Sequence, residues 1–157
     1  MIVITIAGIL AAVAIPSYQN MVKNNCMTTS ANTLIASLQF ARSEAVRNRV
    51  PVHVQSTDTS NSSNDWGIGW NIWKDDDGNG TMASSELIRV VELTCGQTTI
   101  DETSNEDDFI YRPTGFLDST TAGGTFQVCD DRTAETGREI SLSPTGRPKI
   151  DSTFTCS

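Results

Sequence analysis

The feature that most constrains this 157-residue chain is its N-terminus, where fifteen consecutive residues carry no charge. The run of residues 1–15 ends at Pro16, and a more polar helical pattern follows. At about 1.5 Å per residue, a helix of this length spans roughly 22 Å, which is less than the ~30 Å hydrocarbon core of a bilayer. Three interpretations compete: a secretory signal core, an anchor of less than spanning length, and part of a longer apolar helix.

A secretory signal fits the run poorly. No basic residue precedes it, and no small-residue cleavage site is followed by a mature start. We favour part of a longer helix, which predicts that the numbered chain begins inside that helix. Residues 1–16 are then an apolar segment of a membrane or of a filament core. Pro16 predicts either a kink or the membrane boundary.

Residues 17–50 are predicted to continue this helix in amphipathic form. Pro51 ends it, because the residue before a proline avoids the α region. One face of the helix is apolar at spacings of three and four, which predicts packing on a sheet. The apolar stripe comprises Met27, Ala31, Leu34, Leu38, Ala41 and Ala45, widened by Ile35 and Val46.

Residues 51–157 are predicted to form a β-rich globular head, because the apolar pattern changes to short runs of period two. We expect five to seven strands and an acidic linker at residues 101–108. The fold class is therefore α+β, with a long N-terminal α-helix packed on antiparallel β-sheet. The strands are expected near residues 50–55, 66–73, 87–93, 109–111, 125–128, 139–142 and 147–150.

Composition restricts the classes of function that this protein can have. The formal net charge of −8 argues against a general nucleic-acid coat. Four widely spaced cysteines contain no Cys-x-x-Cys pair, so a zinc site is not indicated, and they allow three disulfide pairings. His53 is the single histidine, and no Ser-His-Asp order or Gly-rich phosphate loop accompanies it. We therefore expect a protein that is not an enzyme.

Several elements carry a family resemblance. Residues 8–19 resemble the N-terminal helix of type IV pilins and of type II secretion pseudopilins. Later elements resemble the FimT/FimU-type minor pilins and the GspH-like, H-type pseudopilin. In that family an apolar stretch with a glutamate stands just upstream of residues like these, after a cleaved leader. The later elements are Ala-Arg-Ser-Glu-Ala at 41–45, Trp-Gly-Ile-Gly-Trp at 66–70, Leu-Ile-Arg at 87–89 and Leu-Ser-Pro-Thr-Gly-Arg at 142–147.

The resemblance implies a structural subunit of a type IV pilus or pseudopilus, assembled with other pilin subunits through N-terminal helices. It implies a minor subunit that primes assembly or sits at the tip. The alternatives are a DNA-binding accessory pilin for DNA uptake and a major filament subunit. The expected location is the inner membrane for the precursor, and then a periplasmic or extracellular filament.

Export to such a compartment predicts disulfides, because they persist in an oxidising environment. We predict a Cys129–Cys156 bond, since both cysteines lie in the C-terminal third of an exported domain. The pairing of Cys26 with Cys95 stays open at this point.

Residues 75–86 match the EF-hand loop pattern in full, with Gly80 at the turn position. Oxygen ligands at this spacing suit Ca²⁺, the one cofactor that the sequence indicates. The flanking runs predict strands rather than helices, so a solvated hairpin tip is the alternative. The candidate ligands are Asp75, Asp77, Asn79, Thr81 and Glu86.

Residues 146–149 resemble a C-terminal Gly-Arg-x-Arg motif with which some competence-associated family members bind DNA. Lys149 replaces the second arginine of that motif. Arg147 and Lys149 are therefore candidate phosphate contacts, although lysine lacks the guanidinium fork. The alternative is a hairpin turn whose basic side chains are solvated.

Overall fold

The computed structural model describes residues 2–58, 66–121 and 123–156. One helix precedes a series of short strands, and every strand pairing is antiparallel. The predicted α+β class is confirmed. The elements are α1 (Ile2–Asn48), β1 (Val52–Ser56), β2 (Gly69–Lys74), β3 (Leu87–Glu92), β4 (Thr98–Glu102), β5 (Asp108–Tyr111), β6 (Gly124–Asp130), β7 (Arg138–Leu142) and β8 (Pro148–Asp151).

Helix α1 runs through Pro16 as one element, so this proline does not divide the helix in two. It ends at Asn48 and is followed by Arg49, whose φ of 61° is left-handed and whose N–H donates to the Ala45 carbonyl at 3.0 Å. Such a residue closes the last turn, and Pro51 prevents continuation. Within the described ranges, no helix has both the length and the apolar content needed to cross a bilayer.

The apolar segment predicted at residues 1–16 is described only in part. Its backbone is helical from Ile2 onward. Met1 and the side chains of residues 2 and 4–13 lie outside the described structure. The role of this segment as a membrane or filament-core element therefore stays a prediction.

The amphipathic half of α1 packs on the head through the predicted stripe. All six stripe residues are buried, and Ile35 packs partly against them. The exception is Val46, which is 50 % exposed. It follows Ala45 by about 100° around the helix and only borders the turn at Gly115, so the head covers it incompletely.

The strands form two four-stranded sheets, in the orders β3-β2-β1-β5 and β4-β6-β7-β8. An aromatic cluster in the core joins them. The ring of Trp66 meets that of Phe126 nearly edge-on, with centroids 5.1 Å apart, and Phe109 lies 5.1 Å from Phe126. Because Phe109 is in β5 and Phe126 in β6, these contacts hold one sheet against the other.

The prediction of an acidic linker over residues 101–108 is wrong at both ends, because β4 extends to Glu102 and β5 begins at Asp108. Strand β4 raises the strand count to eight in the described chain. Thr98, Ile100 and Glu102 are the buried positions of this strand. The Glu102 carboxylate accepts N–H bonds from Ser104, Glu106 and Thr125 at 2.8, 2.9 and 3.1 Å. A charged side chain at an inward position therefore hid the period-two pattern.

Candidate functional site

The N-terminal part of α1 carries an exposed apolar face beyond the head. Ile15, Tyr18, Met21 and Val22 are 57, 69, 61 and 41 % exposed. Ile15, Tyr18 and Val22 follow one another at spacings of three and four, so they share one side of the helix. Apolar area of this kind is stabilised when another surface covers it.

The head contacts the helix just after this face, through side chains of Lys23, Asn24, Asp130, Asp131 and Arg132 that we call the helix clamp. Lys23 pairs with Asp131 at 2.6 Å. Arg132 donates to both carboxylate oxygens of Asp130 and to the side-chain oxygen of Asn24, the last at 2.6 Å. Burial raises the pKa of Asp130, but the bonds from Arg132 outweigh it and hold this pKa below its usual range. The clamp fixes the helix relative to the second sheet.

Two disulfides reinforce the head. The structure pairs Cys129 of β6 with Cys156, which is the pairing expected for the C-terminal third. It also pairs Cys26 with Cys95, which the sequence left open. Because Cys26 lies on α1 and Cys95 precedes β4, this second bond adds a covalent link to the helix clamp.

The loop between β2 and β3 brings three of the predicted calcium ligands together. Oxygens of Asp75, Asp77 and Glu86 all lie within 4.8 Å of one another. Asp75 and Glu86 are buried, whereas Asp77 is exposed. Three carboxylates at this distance repel one another, and a divalent cation between them would reverse the sign of the interaction.

Backbone N–H groups orient these carboxylates. Asp75 accepts from Asn79 at 3.0 Å, and Glu86 accepts from Asp76 and Ala83 at 3.0 Å each. The remaining predicted ligands are Asn79, whose side-chain amide donates to Asp77 at 2.6 Å, and Thr81, whose N–H donates to the Asn79 side chain at 2.6 Å. The flanking elements are strands, as expected, so the residues that match the EF-hand pattern lie at the tip of a β-hairpin.

A groove of about 670 Å³ lies between the last turns of α1 and the turn before β8. We call it the arginine groove. It joins two segments of the family resemblance that stand a hundred residues apart in sequence, residues 41–45 and 142–147. Its lining residues are Gln39, Arg42, Ser43, Val46, Arg47, Arg147 and Pro148.

The turn at residues 143–147 sets the position of Arg147. The Ser143 hydroxyl accepts the Arg147 N–H at 3.3 Å, and Gly146 adopts a φ of 73°. A Cβ on Gly146 would stand 2.7 Å from the Tyr111 ring and 2.8 Å from the Gly115 carbonyl oxygen. Only glycine therefore allows the turn to pack this closely against the turn after β5.

The two residues of the predicted DNA motif are placed differently. Arg147 lines the arginine groove, whereas Lys149 lies outside its lining, exposed in β8 opposite Ser141. Asp151 is a near neighbour of Lys149: bonds from Thr153 lower the pKa of Asp151 first, and the charge of Lys149 lowers it further. The basic residues that join Arg147 are Arg42 and Arg47, which the sequence did not single out because they are distant in the chain.

His53 is buried by structural contacts outside the main hydrophobic cluster. Its ring stacks on Trp73 with centroids 3.8 Å apart, and Nδ1 lies 2.7 Å from a carboxylate oxygen of Asp108. Trp66, Trp70 and Trp73 are likewise buried. These contacts give the histidine and the tryptophans packing roles.

Sequence comparison identifies the family. The family model of the type II transport protein GspH matches residues 30–146. The chain belongs to the GspH family. The match covers the amphipathic helix from Ser30 onward, strands β1 to β7 and the Ser-Pro-Thr-Gly turn, and it confirms the resemblance seen in the sequence. A comparison with curated proteins finds no match.

Solved structures with the same fold agree with membership of the GspH family. The minor pilin FimU of Pseudomonas aeruginosa is 27 % identical, with a TM-score of 0.68 over 86 % of this chain and 96 % of FimU. The minor pseudopilin EpsH of Vibrio cholerae is 12 % identical, with a TM-score of 0.57 over 80 % of this chain and 95 % of EpsH. At that identity the EpsH likeness concerns the fold alone.

Proposed function

We propose that this chain is a minor structural subunit of a type IV pilus or pseudopilus that enters the filament through its N-terminal helix. In this role it acts at or near the tip and primes assembly. Its partners are other pilin subunits. It is inserted in the inner membrane as a precursor through residues 1–16 and then moves to a periplasmic or extracellular filament.

The observation that carries this proposal is the exposed apolar face of α1 beyond the head. From Ile2 to Gln19 the helix extends roughly 27 Å ahead of the helix clamp, at about 1.5 Å per residue. Water leaves such a face without a partner, whereas lipid or a neighbouring helix of the same kind buries it. Membership of the GspH family supports a filament role, and the likeness to a minor pilin, FimU, supports a minor one.

Substitution of the exposed face in the full-length chain tests the proposal. We expect Ile15→Ser/Tyr18→Ser to reduce incorporation into sheared filaments about tenfold or more. Gln19→Ser is the matched control, because Gln19 is an exposed polar residue next to Tyr18. All three side chains are exposed, so both variants should keep the head folded. Normal incorporation of the double variant contradicts helix-mediated assembly.

Gold labelling of the head on native filaments tests the minor role. Label confined to one filament end is expected for a tip subunit. Label at regular intervals along the filament would make the chain a major subunit instead, while leaving helix-mediated assembly intact.

We also propose that the loop of residues 75–86 binds Ca²⁺. The observation in favour is the convergence of Asp75, Asp77 and Glu86, with two of these carboxylates buried. The donor set fits the ion, because calcium takes carboxylate and carbonyl oxygens in flexible arrangements. Asn79 and Thr81 complete the proposed ligand set. Bound calcium would tie β2 to β3 at the end of the first sheet.

A further inference from the structure

The arginine groove concentrates positive charge on an acidic protein. Three of the eleven lysines and arginines of the chain line it, and no aspartate or glutamate is among its lining residues in the described structure. The chain as a whole has a net charge of −8. A local basic surface on such a protein attracts a negatively charged group, provided that the group is small enough not to be repelled by the acidic surface around it.

The guanidinium groups at the groove are held in place to different degrees. Arg42 donates its Nε–H to the Gly115 carbonyl at 2.8 Å, which leaves its terminal nitrogens available. Arg47 pairs with the buried carboxylate of Glu44 at 2.6 Å, and Asn48 donates to the same oxygen. Two of the three arginines are thus oriented before any ligand arrives, which lowers the entropy cost of binding.

Arg147 is the free member of this set. Its backbone is fixed by the turn at Ser143, but its guanidinium makes no hydrogen bond or ion pair within the described residues. An exposed arginine beside two oriented ones can complete a bidentate contact with a carboxylate. It can do so without breaking an existing pair.

The groove also has an apolar wall. Val46 is half exposed within it, and Pro148 stands at the start of β8 on the facing side. A ligand that fits both features carries carboxylates next to aliphatic side chains. An acidic polypeptide segment has this composition, whereas the phosphates of a nucleic-acid backbone are linked through polar sugar rings and not flanked by branched aliphatic side chains.

We propose that the arginine groove binds an acidic, aliphatic segment of a neighbouring filament subunit. Carboxylates of that segment contact Arg42, Arg47 and Arg147, and an aliphatic side chain packs on Val46 and Pro148. This inference rests on the proposed function for the identity of the neighbour, but not for the chemistry of the groove. It makes the groove the head-to-head contact that accompanies packing of the N-terminal helices.

A defined peptide tests the chemistry of the groove directly. The full-length chain in detergent micelles is titrated with a fluorescein-labelled, end-capped hexapeptide of alternating aspartate and leucine, and anisotropy is recorded. We expect saturable binding that Arg147→Gln weakens about fivefold to tenfold. The same peptide with asparagine in place of aspartate should not bind. Lys149→Gln is the matched control, because Lys149 is an exposed base two residues away that does not line the groove, and it should change the affinity less than about twofold.

The other outcomes overturn the proposal. Absence of binding up to about 1 mM peptide, or equal loss in Arg147→Gln and Lys149→Gln, excludes an acidic-segment site at the groove. A 12-base-pair duplex that displaces the peptide and depends on both residues assigns the surface to DNA, as a Gly-Arg-x-Arg-type motif would.

A second measurement separates this proposal from the filament role. A photo-reactive residue at Ser43, inside the groove, is expressed in the full-length chain in cells. We expect a cross-link to a pilin subunit within a few residues of an aspartate or glutamate, lost in Arg147→Gln. If the peptide binds in micelles but the chain does not enter filaments, the filament role fails while the groove chemistry stands. If the chain enters filaments and the cross-link maps to a segment without acidic residues, the groove proposal fails alone.

Discussion

The ring of Tyr111 lies directly beneath Gly146, and the Tyr111 hydroxyl donates to the Gly146 carbonyl at 3.4 Å. Tyr111 ends β5 of the first sheet, whereas Gly146 lies in the turn that connects β7 and β8 of the second. This contact therefore closes the end of the head at which the arginine groove lies. Burial raises the pKa of the Tyr111 hydroxyl, so this group is neutral and able to donate a hydrogen bond at pH 7.

Gly146→Ala is expected to destabilise the head by about 2–4 kcal/mol, since a left-handed φ and a steric clash combine. Two matched variants separate these costs. Gly78→Ala has a φ of 72° but no atom within 4 Å of the added Cβ, so it reports the backbone cost of ~1 kcal/mol. Gly96→Ala involves neither a left-handed φ nor a steric clash, so it should leave the free energy of unfolding unchanged. Urea denaturation monitored by tryptophan fluorescence measures all three, and equal effects for Gly146 and Gly78 would contradict the packing role of Tyr111.

Each disulfide is expected to contribute to stability according to the loop that it closes. The sequence separations are 69 residues for Cys26–Cys95 and 27 for Cys129–Cys156. Chain entropy predicts losses of about 4.4 and about 3.6 kcal/mol when each pair is replaced by serine. Peptide mapping without reductant should recover these two pairs. A dominant Cys95–Cys129 peptide would show that the pairing is different.

Calcium is expected to stabilise the chain through the loop of residues 75–86. Calorimetry after chelator treatment should show binding that Asp77→Asn abolishes, and saturating calcium at about 100 times Kd should add ~2.7 kcal/mol to stability. Asp77 is the residue of choice because it is exposed, so its loss should not unfold the loop. Asp76→Asn is the control, because this exposed carboxylate pairs with Lys74. Absence of a binding heat at millimolar calcium would contradict the calcium proposal and leave the loop as the tip of a hairpin.

Glu106 is expected to make the fold slightly less stable as the pH rises. Desolvation raises its pKa above the ordinary value of 4.5, and the charges of Glu102, Asp108 and Asp107 add to this. The folded state then holds a proton more tightly than the unfolded state. The contribution of the Glu106 carboxyl to the free energy of unfolding is therefore fully present below the unfolded pKa, and it is lost as the pH rises through the raised folded pKa.

Glu106→Gln should therefore be more stable than the parent at pH 7, by a few tenths of a kcal/mol because the site is partly solvated. The difference should vanish below about pH 4, where the parent carboxyl is protonated. The main-chain contacts of Glu106 with Glu102 and Trp66 remain in the variant. Glu92→Gln on the exposed edge strand β3 is the control, and a pH-independent difference for Glu106→Gln would contradict the titration.

Local pattern was enough to predict much of this protein. The helical spacing of Met27, Ala31, Leu34, Leu38, Ala41 and Ala45 predicted which face of α1 is buried, because burial repeats with the turn of the helix. Alternation predicted most of the strands. The oxygen-bearing residues at 75–86 identified a loop whose candidate ligands are close in sequence, and the structure adds which of them converge.

Features that depend on residues distant in the chain became visible in the folded molecule. An acidic residue such as Glu102 predicts a linker and not an inward strand position. Its burial is tolerated because N–H groups of Ser104, Glu106 and Thr125 donate to its carboxylate. The partner of Cys26 and the grouping of Arg147 with Arg42 and Arg47 follow from how the sheets pack on α1. Periodicity determines which side of each element is buried, whereas the packing of elements determines which exposed side chains meet. For that reason local pattern predicted the helix and the family resemblance, whereas the arginine groove depends on how the sheets pack on α1.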